Sequence, residues 1–353
     1  NDAITMAIGA GSSLGFDIAG AADSVGNAII LSAGHDVANG VLVAARSAGG
    51  GSGNASITGE DGAFTSATLA KTTGTIDLES NSDTGLTFAG NVGLEATGGN
   101  SAITANADGF VSFAGTLDFS ASVTGTAANP DAQGGGVALR ALDGGTINVT
   151  GQAQLLASGT GAPLTAANTV SGSGTGGSVL IEAVNGGQVL FDALVNIGVD
   201  GRGGEPSAQN VAAGSSTAGS VILRATGTTG SLIDFAGDLG VTALGQNANG
   251  TGCTTCLFDG GVATGGSVTL LSSGTANAIS VSGATSLFAG ADGGEAQAGS
   301  GGNAFGGTIS VRAINGGGLT FATANVDVSA SGGGSSGAIA GNATAGNIEL
   351  SAS

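Results

Sequence analysis

The sequence predicts an all-β chain: a right-handed parallel β-helix, or solenoid, of about ten coils. Each coil has three short strands, and the C-terminal coils carry Gly-rich loops at one corner. Three observations point there. Gly supplies 72 of 353 residues, yet 41% of the chain is apolar. A phrase of Gly, a small polar residue and an alternating strand recurs along the chain. Phe falls at a constant offset from that phrase in several copies.

Composition removes the other Gly-rich classes. A typical globular domain carries about 25% charged residues and about 7% Gly; here charged residues are 9% and Pro numbers 3. Collagen needs Gly at every third position and abundant Pro, and neither is present. Disorder needs low hydrophobicity, whereas mean hydropathy is +0.35 and the apolar residues gather in β-branched runs such as Val179-Leu180-Ile181. A repeat fold remains.

The phrase reads Gly74-Thr75-Ile76-Asp77-Leu78-Glu79, then Gly136-Val137-Ala138-Leu139-Arg140, then Gly177-Ser178-Val179-Leu180-Ile181-Glu182. It returns at Gly219, Gly266, Gly307 and Gly346, and the last five spacings are 41, 42, 47, 41 and 39 residues. Weaker copies start near Asn1, Gly26, Gly53 and Gly99.

Within a copy the elements follow one order. In the Gly177 copy the predicted strands are 179–183, 188–191 and 195–199; in the Gly307 copy they are 309–313, 319–321 and 326–329. Phe88, Phe191 and Phe321 each lie 14 residues after their phrase Gly, which predicts a core Phe stack; Phe16, Phe64, Phe113 and Phe235 hold similar places. Residues 1–135 read as short coils and 136–353 as coils of about 40 residues. The excess length follows the third strand, as in 201–218 and 290–306. Doubling such a loop costs only about 0.6 kcal/mol, so a variable period is compatible with one solenoid. The whole chain, 1–353, reads as one β-helix segment that opens and closes in mid-pattern, as part of something longer would.

Alternation puts Val179 and Ile181 on one face, which a lone coil cannot bury. Stacked coils bury it and pair the backbone at about 4.8 Å per coil. Handedness follows the general right-handedness of parallel crossovers. Corner Gly residues are expected to supply positive φ. A transmembrane barrel would need strands of about ten residues and aromatic girdles, yet Trp and Tyr are absent.

Net charge is −19, with 25 acidic residues against 6 Lys and Arg. Phosphate neutralisation depends on Lys and Arg, so nucleic acid is excluded as a partner, and an anionic membrane surface is disfavoured with it. No apolar run is long enough for a spanning helix, so membrane insertion is not expected, and the amino terminus lacks the pattern of a signal peptide.

Few motifs could carry chemistry. Cys253-Thr254-Thr255-Cys256 is the only Cys pair, and a local disulfide in an oxidising compartment is the expected reading; a redox centre, half a zinc site or free thiols are the alternatives. His35 beside Asp36 reads as a turn histidine before it reads as a base. Asp77, Glu79, Glu95, Glu182, Asp192, Asp234 and Glu349 are scattered; they mark an outward solvated row, or, if stacking gathered them, a polysaccharide-cleaving face. Arg140, Arg224 and Arg312 end the first strand of their coils and are expected to pair with those carboxylates. Gly290-Ala291-Asp292-Gly293-Gly294-Glu295 is loosely like a calcium loop, but tandem GGxGxDxUx nonapeptides are missing. No cofactor is expected, with weak Ca2+ binding at scattered acids as the one metal option. No catalytic residue is identified.

The run Gly-Gly-Ser-Val-Leu-Ile-Glu-Ala, then Gly-Gly-Gln-Val-Leu-Phe, then a Gly/Ala/Ser loop resembles the repeat of large filamentous-haemagglutinin-like bacterial exoproteins. The resemblance covers most of the chain, most clearly 74–353. It implies adhesins folded as right-handed β-helices and exported to the cell surface. The secretion domain of that family is not recognisable, and no binding residue carries over.

The expected function is therefore a non-enzymatic extracellular fibre or adhesin shaft. Its partners would be cell surfaces or other fibres. The alternatives are a secreted polysaccharide-degrading enzyme and a passive stalk or surface-layer component.

Overall fold

A computed structural model describes residues 4–7, 13–15, 29–33, 37–43, 45–46, 55–64, 67–71, 76–163, 171–205, 212–247, 259–296, 299–335 and 339–353, with side chains from Leu78 onward apart from 81–84. The described residues are all-β, without a helix, and every strand pairing among them is parallel.

Eleven first strands follow one another in parallel register, from Ile4–Ala7 to Asn347–Ala352. Ser178–Val184, for example, has Gly136–Leu142 on one side and Ser220–Thr226 on the other. Second strands such as Gln188–Phe191 and third strands such as Val195–Gly198 form their own parallel columns. Near the C-terminus the second and third strands run together, as Ala278–Phe288 and Gly318–Asp327.

Because register is kept, alternation in sequence becomes a file of side chains along the stack. Ile103, Leu139, Ile181, Leu223 and Leu270 form one fully buried file. The second strands contribute Phe88, Phe113, Val149, Phe191, Phe235, Val281 and Phe321 in order. Here the aromatic rings meet as pairs: Phe88 stacks on Phe113 at 5.1 Å and Phe191 on Phe235 at 4.9 Å. Val149 and Val281 separate the pairs, so Phe88, Phe191 and Phe321 share a file but do not touch one another. Phe321 is only partly buried against the core.

Two features differ from the sequence reading. The segment after the third strand is not a plain loop. It holds two more two-residue strands per repeat, such as Gly201–Arg202 and Ser216–Thr217, in two further six-stranded parallel sheets. In the six repeats that carry them, from Asn100 onward, these two strands add to the expected three. Two-residue strands are too short to show an alternating pattern, which is why the sequence hides them.

The second difference concerns Gly. Most corner Gly residues do not have positive φ; they let two backbones touch. Gly177 N–H donates to the Ala157 carbonyl at 2.6 Å, and Gly219 N–H to Val199 at 2.7 Å, closing the neck between core and excursion. Further out, Gly172 N–H donates to Ala162 at 3.1 Å and Gly204 N–H to Gly172 at 2.8 Å, joining the outgoing and returning legs. Positive φ is confined mainly to the turn after the first strand, where Asn185 and Gly186 have φ of 50° and 86°, and Asn315 and Gly316 have 53° and 81°. That is the pattern of a type I′ turn, which favours Asn-Gly.

Candidate functional site

On the outward side of the first strands, register brings Arg140, Glu182 and Arg224 into one file. Arg140 Nε donates to Glu182 Oε2 at 3.0 Å, and Arg224 Nε to Glu182 Oε1 at 2.7 Å. The Glu182 side chain is 3% exposed while both Arg side chains stay more than 40% exposed. A carboxylate this dry is tolerable only with such partners. Arg312 approaches Glu349 at 3.9 Å on an exposed stretch of the same face.

The other acids are dispersed. Glu79 is level with Thr104 and Glu95 with Ser120, Asp192 is exposed and Asp234 half-buried. Several Asp and Asn side chains accept a backbone N–H from the next repeat: Asp131 from Ser173 at 2.7 Å, Asp200 from Leu244 at 2.8 Å, Asp238 from Ala284 at 2.7 Å and Asp259 from Ser300 at 2.9 Å. Sequence reading missed this role. Its signal is an Asp or Asn at a turn preceding a Gly-rich step, and the partner lies about 42 residues away, as in Asp131 to Ser173. Among the described residues no group of three His, Cys, Asp or Glu is placed to hold a metal ion. The calcium-like stretch leaves Asp292 and Glu295 exposed and in no such group. Cys253, Cys256 and His35 lie outside the described residues.

Where the first turn meets the core, Asn277 is 1% exposed and fully engaged. It donates to the carbonyls of Gly227 at 2.8 Å and Ser273 at 2.5 Å, and accepts from Ser231 N–H at 2.7 Å. Ser231 Oγ in turn accepts from Gly186 N–H at 3.1 Å. This network ties three repeats together and leaves no reactive group free.

One concave surface lies where the fifth strand turns into the next first strand. Two hollows of 540 Å³ each share Gly176 and Gly177 and so form one trough along the stack. Its floor is Gly and Ala, its wall carries Asn100, Ser178, Ser220, Ser267 and Thr308, and no charged residue lines it.

No family model matches the chain, and comparison with curated proteins and with solved structures gives no match.

Proposed function

We propose that the chain is a right-handed parallel β-helix acting as the shaft of an extracellular bacterial fibre or adhesin, without enzymatic activity. The observation that carries this reading is the unbroken parallel register of the first strands, from Ile4 to Ala352. Parallel strands that return to the same place, rung after rung, are what a wound coil requires. The likeness of its repeat to filamentous-haemagglutinin-like exoproteins supports the surface location. Partners on this reading are cell surfaces or other fibres, reached by the excursions that project from one corner.

The dispersal of acids favours a shaft over a polysaccharide-degrading enzyme. Glycoside cleavage needs two carboxylates facing one substrate bond. Here Glu182 is held by two Arg residues, and Asp131, Asp200, Asp238 and Asp259 bond to backbone. Net charge of −19 gives such a fibre solubility and keeps parallel copies apart.

Immunogold labelling of producing cells with antibody against this chain tests the proposal. Gold along filaments or in a surface coat is the expected result. Antigen free in the culture fluid, with bare cells, would favour the secreted-enzyme alternative.

A further inference from the structure

The outward side of the first strands carries a second hollow, and its residues are not those a solvated strand calls for. Strands that face water on one side place apolar residues inward and polar ones outward. Ala102, Ala138, Leu180 and Ile222 nevertheless follow one another in an outward file, and Ile222 is 38% exposed. In the next two rungs the same file turns polar, at Thr269 and Ser310. The core is built from the alternate positions, such as Val137 and Leu139, and does not require these outward side chains. Beside the smaller members of the file lies a hollow of 340 Å³, whose lining includes Asn100, Ala102, Ala138, Arg140, Ser178 and Leu180.

Arg140 gives the hollow its charge. A guanidinium carries several N–H donors in a planar fork, and Arg140 uses only Nε, toward Glu182 Oε2 at 3.0 Å. Its terminal nitrogens have no hydrogen-bond partner among the described residues. The contact with Glu182 also orients the side chain, because that carboxylate is buried and held from its other side by Arg224. One carboxylate answers two guanidinium groups, so this place is cationic on a chain whose net charge is −19.

These features define a ligand. An open guanidinium fork matches a carboxylate in plane and spacing. A floor of Ala102, Ala138 and Leu180 takes a hydrocarbon body out of water, and a bare inorganic anion would leave that floor uncovered. The hollow crosses three rungs, from Ala102 to Leu180, about 10 Å along the stack. A stable protein interface takes about 800 Å² from each partner, which a hollow of this length does not supply. We propose that the hollow binds a small monocarboxylate with an apolar body. Its carboxylate sits on the terminal nitrogens of Arg140 and its hydrocarbon lies along Ala138 and Leu180. Such a site goes beyond the shaft function proposed above and does not rest on it.

The test is calorimetric titration of the 353-residue chain with octanoate. Octanamide supplies the apolar body without the charge, and acetate the charge without the body. Saturable binding of octanoate is expected, with octanamide and acetate each weaker by about tenfold or more. Arg140→Gln should weaken octanoate about tenfold, and Ala138→Leu, which fills the hollow, should abolish its binding. Ser310→Ala, in the same file but outside the hollow, should leave it unchanged. Far-UV circular dichroism verifies the fold of each variant, and either of the first two suffices if the other fails to fold. Absence of saturable octanoate binding, octanamide or acetate binding as tightly, or binding indifferent to both Arg140→Gln and Ala138→Leu overturns the proposal. None of these outcomes bears on the surface-fibre reading, which the immunogold result decides separately.

Discussion

An added Cβ at Gly177 would lie 1.8 Å from the carbonyl oxygen of Gly135. The same contact recurs as Gly266 over Gly219 at 2.1 Å and Gly346 over Gly307 at 1.9 Å. One Gly per repeat thus lets the neck of each excursion rest on the one before. The obstacle is backbone, which cannot rotate aside as a side chain can.

Gly177→Ala is therefore expected to destabilise the chain by about 3 kcal/mol or more, at the upper end of overpacking penalties. Gly334→Ala is the control, since nothing lies within 4 Å of its Cβ position; its effect should stay within about 0.5 kcal/mol. Urea denaturation of the two variants and the parent decides the matter. Equal midpoints for all three would show that the neck can open to admit a methyl group.

Glu182 is the other point where one residue holds its neighbours in adjacent repeats. Glu182→Ala leaves two guanidinium groups side by side without their shared carboxylate. Because both Arg side chains are more than 40% exposed, water recovers part of the loss. A cost of about 2 kcal/mol is expected, between that of a surface pair and that of a buried one. Glu349→Ala, whose partner Arg312 is 3.9 Å away on an exposed stretch, should cost less than about 0.5 kcal/mol. If the two variants unfolded together, the burial of Glu182 would be energetically idle.

In the aromatic file, Phe113 is fully buried and stacked on Phe88, while Phe321 is partly exposed and has Val281 as its neighbour. Phe113→Ala should cost about 4 kcal/mol and Phe321→Ala about half of that. Thermal unfolding measures both. A Phe321 variant as damaging as the Phe113 variant would mean that the file acts as one unit along its length.

Much of this fold was legible because identical steps recur. The first-strand phrase and its alternation were visible in Val179, Ile181, Val221 and Leu223, and the structure places those residues in the core. Phe88 and Phe191 sit in the file their offset indicated, though as halves of two pairs, because the intervening Val149 falls at the same place without being aromatic. The excursions were misread. Gly201–Arg202 and Ser216–Thr217 pair in register mainly through backbone, with Arg202 also donating to Gln246 Oε1 at 2.8 Å, and a segment rich in Gly, Ser and Ala carries little side-chain signal for such pairing. A pairing of Arg140 and Arg224 with outward carboxylates was legible from strand position, and register makes Glu182 the shared one. Its near-complete burial was not legible, because burial depends on how neighbouring side chains close over the carboxylate.

In the turn after the first strand, Asn185 has φ of 50° and its Nδ2 donates to Asp143 Oδ1 at 3.0 Å. Asp143 occupies the same place one repeat earlier, also with φ of 50°. Left-handed backbone costs an ordinary L-residue about 1–2 kcal/mol, a β-branched one most, and Asn, Asp and Gly least. Two effects can therefore be separated at this site. Asn185→Gly keeps the turn but loses the bond to Asp143, and a cost within about 1 kcal/mol is expected. Asn185→Val loses the bond and opposes the backbone, so its cost should be larger by about 1–2 kcal/mol. Asn185→Asp keeps the turn but sets a second carboxylate against Asp143, and its penalty should shrink as salt screens the pair. Denaturation of the three variants at low and high ionic strength reads all of these terms. A valine variant as stable as the glycine one would show that the turn can change type without disturbing strands Ser178–Val184 and Gln188–Phe191 on either side of it.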